Sequence, residues 1–120
     1  MKEIQNAKIT KVDLSMADHG CLTLELVIEG KGWGCCVGGY VLGHGYVGAK
    51  EFKGSSKGIE EIMRIMDVVG VSRFNEMQNK YIRVETEGWG DSIHKIGNII
   101  EDKWFDYHEF YKKECEDFNK

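Results

Sequence analysis

The chain contains no proline, and only three arginines, Arg64, Arg73 and Arg83. It has no apolar run near the ~20 residues that a membrane-spanning helix needs. Its first residues, MKEIQNAKITK, lack the apolar stretch of a signal peptide. A cytoplasmic address and no membrane partner are the expectations. A basic excess is also missing: 16 Lys and Arg stand against 20 Asp and Glu, for a formal charge of −4. That argues against a partner as highly charged as long nucleic acid, which requires a basic face. A small anion held by a few side chains remains compatible with it.

The four cysteines, Cys21, Cys35, Cys36 and Cys115, form no C-x-x-C pair and read as reduced thiols. A zinc set drawn from His19, Cys21, Cys35, Cys36 and His44 matches no ligand spacing, so neither a metal nor a cofactor is expected. Nucleophile elbows, zincin helices and phosphate-binding P-loops are all absent. The four histidines fall in a turn, a loop, a strand and a helix, each in a place where a structural or solvated role suffices. These absences favour a binding module over an enzyme.

What the chain has in abundance is glycine, and eight of its fifteen glycines lie between Gly30 and Gly48. Glycine weakens a strand, because it has most entropy to lose and no side chain to pack. Yet the flanks here read as strand. Residues 4–16 alternate loosely, with Val12, Leu14 and Met16 on one face. CLTLELVIE alternates strictly, with Leu22, Leu24, Leu26 and Ile28 on one face. The two predict an antiparallel hairpin turning at 18–20. A third strand over 33–42 would place Trp33, Cys35, Val37, Gly39 and Val41 on one side. Gly30, Gly32, Gly34, Cys36 and Gly38 would leave the other side a bare trough. The protein's own helix, a ligand or a partner subunit could each lie in it.

After a glycine-rich loop, KGIEEIMRIMDVVG reads as a helix capped by Ser56 and ended by Gly70. Its stripe of Ile59, Ile62, Met63, Met66 and Val69 predicts the buried face. VSRFNEMQNK reads as a single turn, with Ser72 a candidate cap and Phe74 and Met77 as anchors. YIRVETE and SIHKIGNIIE predict a second hairpin with Trp89 at its tip. The tail predicts a helix from about Asp106, with Asp106 and Glu109 at capping-box spacing. Tyr107, Phe110, Tyr111 and Phe118 form an aromatic stripe along it. The expected fold is α+β: an antiparallel sheet of about five strands, from two hairpins and a glycine-rich strand, with one central helix and a C-terminal helix, in a single domain over 1–120.

The order of pieces DHGCLTLEL, GWGCCVGGYVL, GIEEIMRIMDVVGV, NKYIRVE and HKIGNIIEDKWFD, over nearly the whole chain, resembles the phage Thoeris anti-defence proteins of the first type. That resemblance implies a sponge that sequesters cyclic ADP-ribose-type alarm signals without cutting them, with cyclic oligonucleotides as a second ligand class. It implies a homodimer, assembling further into a hexamer, with pockets between protomers. The ligand-binding set it suggests has Arg64 and Arg83 as phosphate donors and Trp89 as adenine plate. Asn98 would supply hydrogen bonds, with Lys103, Ser56 and the amides of Gly38 and Gly39 completing the set. Family members carry basic residues near the C-terminal helix, where this chain has only Lys103, Lys112 and Lys113. A protein-binding inhibitor and a small hydrolase of the same signal are the alternatives.

Overall fold

The alternation in CLTLELVIE builds the middle of the molecule. A computed structural model describes residues 2–18, 20–86 and 93–118. In it, strand β2 (Cys21–Gly30) buries Leu24, Leu26 and Ile28 completely, while Glu29 meets solvent. β1 (Glu3–Asp18) runs antiparallel beside it, with Ile9 opposite Ile28, Val12 opposite Leu26 and Leu14 opposite Leu24. Cross-strand partners share a face, so these pairs extend one apolar surface. The expected turn is present, with Asp18 opposite Cys21.

β3 (Trp33–His44) flanks β2, and β4 (Lys53–Gly54) touches only the end of β3. On the other side, β5 (Tyr81–Thr86) pairs with the start of β1, followed by β6 (Lys95–Asn98) and β7 (Trp104–Asp106). Among the described residues the sheet is antiparallel throughout, in the order β4-β3-β2-β1-β5-β6-β7. Seven strands therefore replace the expected five. The additional pair, β4 and β7, have two and three residues. Such lengths are too short to carry an alternation.

The sheet is bent. In a flat sheet, with strands about 4.8 Å apart, β3 and β7 would lie about 24 Å from one another. Instead Tyr107, which follows β7 directly, stacks on Tyr40 of β3 with ring centroids 5.4 Å apart. The two ends of the sheet curl toward each other around helix α1 (Ser56–Val69), which packs on β3, β6 and β7.

The start of α1 corrects one expectation. Ser55, not Ser56, is the cap: its backbone is extended and its Oγ accepts the Gly58 N–H at 3.1 Å. Both serines offer the same chemistry, and the helix takes the earlier one. Gly70 ends the helix as expected, at φ 90° with its N–H donated to the Met66 carbonyl. The buried face is corrected in part: Val69 is buried and Ile62 and Met66 pack against the core, as the stripe predicts, but the face is rotated. Gly58, Glu61, Ile65, Val68 and Val69 point inward, while Ile59 and Met63 are 58% and 64% exposed. The cause lies at Gly58, where an added Cβ would sit 2.7 Å from Leu42 Cα and the Leu42 carbonyl oxygen. This contact of helix with strand sets the rotation of α1 and turns Glu61 inward.

A 3-10 turn (Phe74–Met77) buries Met77 and packs Phe74 on the core, as expected, with no side-chain cap from Ser72. Helix α2 (Tyr107–Phe118) is capped by Asp106, whose Oδ1 accepts the N–H of His108 at 2.9 Å and of Glu109 at 3.2 Å. Phe110 and Tyr111 pack against the core, and the side chain of Phe118 lies outside the described residues. Among the described residues no helix is long and apolar enough to cross a membrane.

Candidate functional site

The glycine strand is not a regular strand with a bare side. Glu25 lies opposite Gly38, but Thr23 lies opposite Val41, so β3 holds one residue more than β2 across that step. The extra residue is accommodated by Gly38 at φ 101° and Gly39 at φ 85°. Two successive left-handed residues are cheap only for glycine, and they make a β-bulge. The bulge exchanges the faces. Before it Val37 points inward and Cys36 outward; after it Tyr40 and Leu42 join the core and Val41 is exposed. The predicted trough is therefore interrupted. What approaches Gly38 is the neighbouring strand: an added Cβ would lie 2.5 Å from the Leu24 carbonyl oxygen.

The bulge has a consequence at the outer edge of β3. β4 pairs with that edge only at Gly43 and His44. Facing the unpaired part is a cluster built by β6, β7 and α2. The Tyr107 N–H donates to the His94 carbonyl at 2.8 Å, tying the start of α2 to the chain just before β6. His94 and His108 then stack face to face, with ring centroids 3.9 Å apart and planes 8° from parallel. His94 Nδ1 lies 3.2 Å from Asp106 Oδ1, the same oxygen that caps α2. Burial opposes ionisation of Asp106, but the Glu109 amide, the His94 ring and the His108 amide together hold its carboxyl below the usual range.

Behind these rings stands a second stack. Tyr40 lies between Tyr107 and Tyr111, at 5.4 and 4.5 Å between centroids. The Tyr111 hydroxyl donates to Oε1 of Glu61 at 2.5 Å. Glu61 is fully buried, and burial raises its pKa to about 7 in spite of that hydrogen bond. Its Oε2 and the hydroxyl of Tyr107 are buried with no hydrogen-bond partner among the described residues. Burial, with Glu61 and Tyr40 nearby, pushes the Tyr107 hydroxyl far up, so it stays protonated.

Between the two halves lies a cavity of about 300 Å³. Residues 36–40 of β3 form one wall, and Ile93, His94, Tyr107 and His108 form the other. It occupies the seam where the bent sheet fails to close into a barrel. Of the residues singled out from sequence, Gly38 and Gly39 are in this wall.

Arg83, Asn98, Lys103 and Arg64 are elsewhere and have internal partners. Arg83 donates from Nε to the Asn98 carbonyl at 2.6 Å and from Nη2 to the Glu101 carbonyl at 2.8 Å, with its guanidinium 4.8 Å from the Trp104 ring centre. Asn98 uses both ends of its amide. Its Nδ2 donates to the Val68 carbonyl at 2.8 Å, near the end of α1, and its Oδ1 accepts from the N–H groups of Ile100 and Glu101. Lys103 lies 3.4 Å from both Asp67 and Glu101. Arg64 is exposed and its Nε donates to Glu60 at 2.5 Å. Ser56 begins α1 without serving as its cap. Trp89 lies outside the described residues.

No spacing in the sequence links His94 to Tyr107 and His108, in the wall facing β3. His94 and His108 looked unrelated because β7, the short strand that folds α2 back beside β6, has no readable pattern. Asp106-x-His108 at a helix start was the available signal. Among the described residues no three metal-ligating side chains come together. The chain matches no protein-family model, no curated protein and no solved structure.

Proposed function

We propose that this protein is a sponge: it binds a small nucleotide messenger, of the cyclic ADP-ribose class or a cyclic oligonucleotide, and holds it without cleaving it. In a phage-infected bacterial cytoplasm this would keep the effector of a Thoeris-type defence from being activated. The observation that carries the reading is the seam cavity, walled by the glycine bulge on one side and by stacked imidazoles on the other. An unpaired strand edge offers backbone donors and acceptors to a ligand, and flat rings offer it a stacking surface. The resemblance described above supplies the ligand class.

Size bears on how the ligand is held. About 300 Å³ is at the bottom of the range of small-molecule pockets. A messenger with two phosphates, two riboses and an adenine overfills it. A sponge must outcompete a receptor, which needs nanomolar binding or about −12 kcal/mol. One stacked base is worth about 1–3 kcal/mol. A second copy of the chain, closing over the part of the ligand that protrudes, would supply the remainder. The reading therefore includes a homodimer as the binding unit, with a hexamer as its further assembly.

Calorimetry with a cyclic ADP-ribose isomer, at protein concentrations above and below dimer dissociation, tests this. Tight binding confined to the dimer, with unaltered ligand recovered on heating, supports the sponge. Recovery of a cleaved product would transfer the proposal to a hydrolase. Absence of heat with any cyclic nucleotide would favour a protein-binding inhibitor, for which Ile59 and Met63 on α1 are among the exposed apolar anchors.

A further inference from the structure

The chemistry of the seam discriminates among the parts of a nucleotide. A phosphate is best held by arginine, lysine or a helix N-terminus. Among the described residues that line the cavity, none is a lysine or an arginine. The N-terminus of α2 is close by, but Asp106 already accepts its His108 and Glu109 amides. The Asp106 carboxylate stays ionised beside His94, and a second carboxyl, Glu61, lies behind the tyrosine stack. An anion entering here would meet the Asp106 carboxylate beside His94 and no lysine or arginine among the described lining residues.

A neutral planar heterocycle meets the opposite conditions. The paired rings of His94 and His108 are already parallel, and the Asp106 contact holds the His94 ring in place. A stacking surface fixed in advance costs the ligand little ordering. β4 pairs with the outer edge of β3 at Gly43 and His44, so residues 36–40 have no strand partner there among the described residues, and their backbone groups are available to the rim of a base. The Tyr107 hydroxyl adds a donor. It is fully buried, it has no hydrogen-bond partner among the described residues, and its oxygen lies 3.4 Å from where a Cβ on Gly38 would be. A buried hydroxyl without a partner carries an uncompensated desolvation cost, which an acceptor on a ligand would offset.

We propose that the seam cavity is a nucleobase pocket. The His94–His108 pair is its stacking plate, the β3 edge reads the rim of the base, and the Tyr107 hydroxyl donates to a ring nitrogen or carbonyl. The phosphates of the ligand lie outside the cavity. This inference rests on the sponge reading for its biological ligand. It places the base at the seam instead of at Trp89.

The test titrates adenosine, ribose 5-phosphate and inorganic phosphate separately into the full-length protein, with the imidazole proton signals of His94 and His108 read by NMR. Adenosine is expected to move both sets of signals, and the other two probes to leave them in place. His108→Ala is expected to weaken adenosine binding at least tenfold. Tyr107→Phe keeps the ring stack and removes only the hydroxyl; it should weaken adenosine about threefold without lowering the thermal midpoint. Phosphate or ribose 5-phosphate moving the imidazoles while adenosine does not would overturn the proposal, as would wild-type adenosine affinity in both variants. The two readings fail separately. A cyclic messenger retained equally by wild type and by both variants rejects the base pocket and leaves the sponge. Adenosine bound at the seam, with no messenger retained by the wild-type protein, keeps the pocket and rejects the sponge.

Discussion

The central strand β2 and the seam are built on opposite terms. β2 is paired along both edges, alternates strictly, and sends three fully buried aliphatic side chains into the core. Among the described residues, the seam has a bulged strand with an unpaired edge, two stacked histidines, and two buried oxygens without partners, one on Glu61 and one on Tyr107. Stability alone does not call for the second arrangement, since an unpaired buried polar group is a net cost. Proteins depart from local rules mainly where a ligand makes use of the departure. The contrast is the ground for proposing the seam as the binding end of the molecule.

The contrast can be broken or sharpened by substitution. Leu26→Ala should have the largest effect on stability, a loss of about 2–5 kcal/mol by urea titration, because it opens a cavity in the fully buried centre. A loss below about 1 kcal/mol would mean that the core lies elsewhere.

Glu61 gives the next effect, and it depends on pH. Its folded pKa of about 7 exceeds the ~4.3 of an unfolded glutamate, so the folded state holds the proton more tightly. Stability should therefore be fullest below about pH 4 and fall as pH rises to about 7, by up to ~3 kcal/mol. Asp106, held low, remains ionised over most of that window and does not contribute to the fall. Glu61→Gln keeps the shape and removes the titration. The difference between wild type and variant should grow from pH 5 to pH 8 in the variant's favour, and a constant difference would contradict a buried carboxyl that titrates.

Asn98→Ala should cost about 2 kcal/mol, since it leaves the Val68 carbonyl and two turn amides without their partner. If Asn98 instead served only a ligand, thermal melting of the free protein would be unchanged. The smallest effect separates two adjacent serines. Ser55→Ala should cost about 1 kcal/mol and Ser56→Ala close to none. Equal effects in melting would return the cap to Ser56.

Legibility in the sequence followed the same division. The β1–β2 hairpin, the glycine end of α1, the Asp106 cap and the pairing of the second hairpin could be read because each depends on neighbours along the chain. The buried face of α1 could be read only in part. Of the stripe Ile59, Ile62, Met63, Met66 and Val69, the last is buried and Ile62 and Met66 pack on the core, but the contact of Gly58 with Leu42 on another element sets a rotation that exposes Ile59 and Met63. Asn98 stands in the expected ligand-binding set as a hydrogen-bonding residue, yet its partners, the Val68 carbonyl and the turn after β6, are products of the tertiary fold. Gly38 and Gly39 were noticed for their lack of side chains, and they lie in the cavity wall, but as a bulge. The opposite wall depends on a three-residue strand and on a sheet bent enough to bring Tyr107 onto Tyr40. Neither leaves a periodic trace.

Native mass spectrometry of the protein after exposure to a cyclic ADP-ribose isomer tests the central claim most directly. The account predicts masses of the dimer or a larger assembly carrying the messenger at its unaltered mass. Protein masses alone, or an assembly carrying a cleaved fragment, would contradict it.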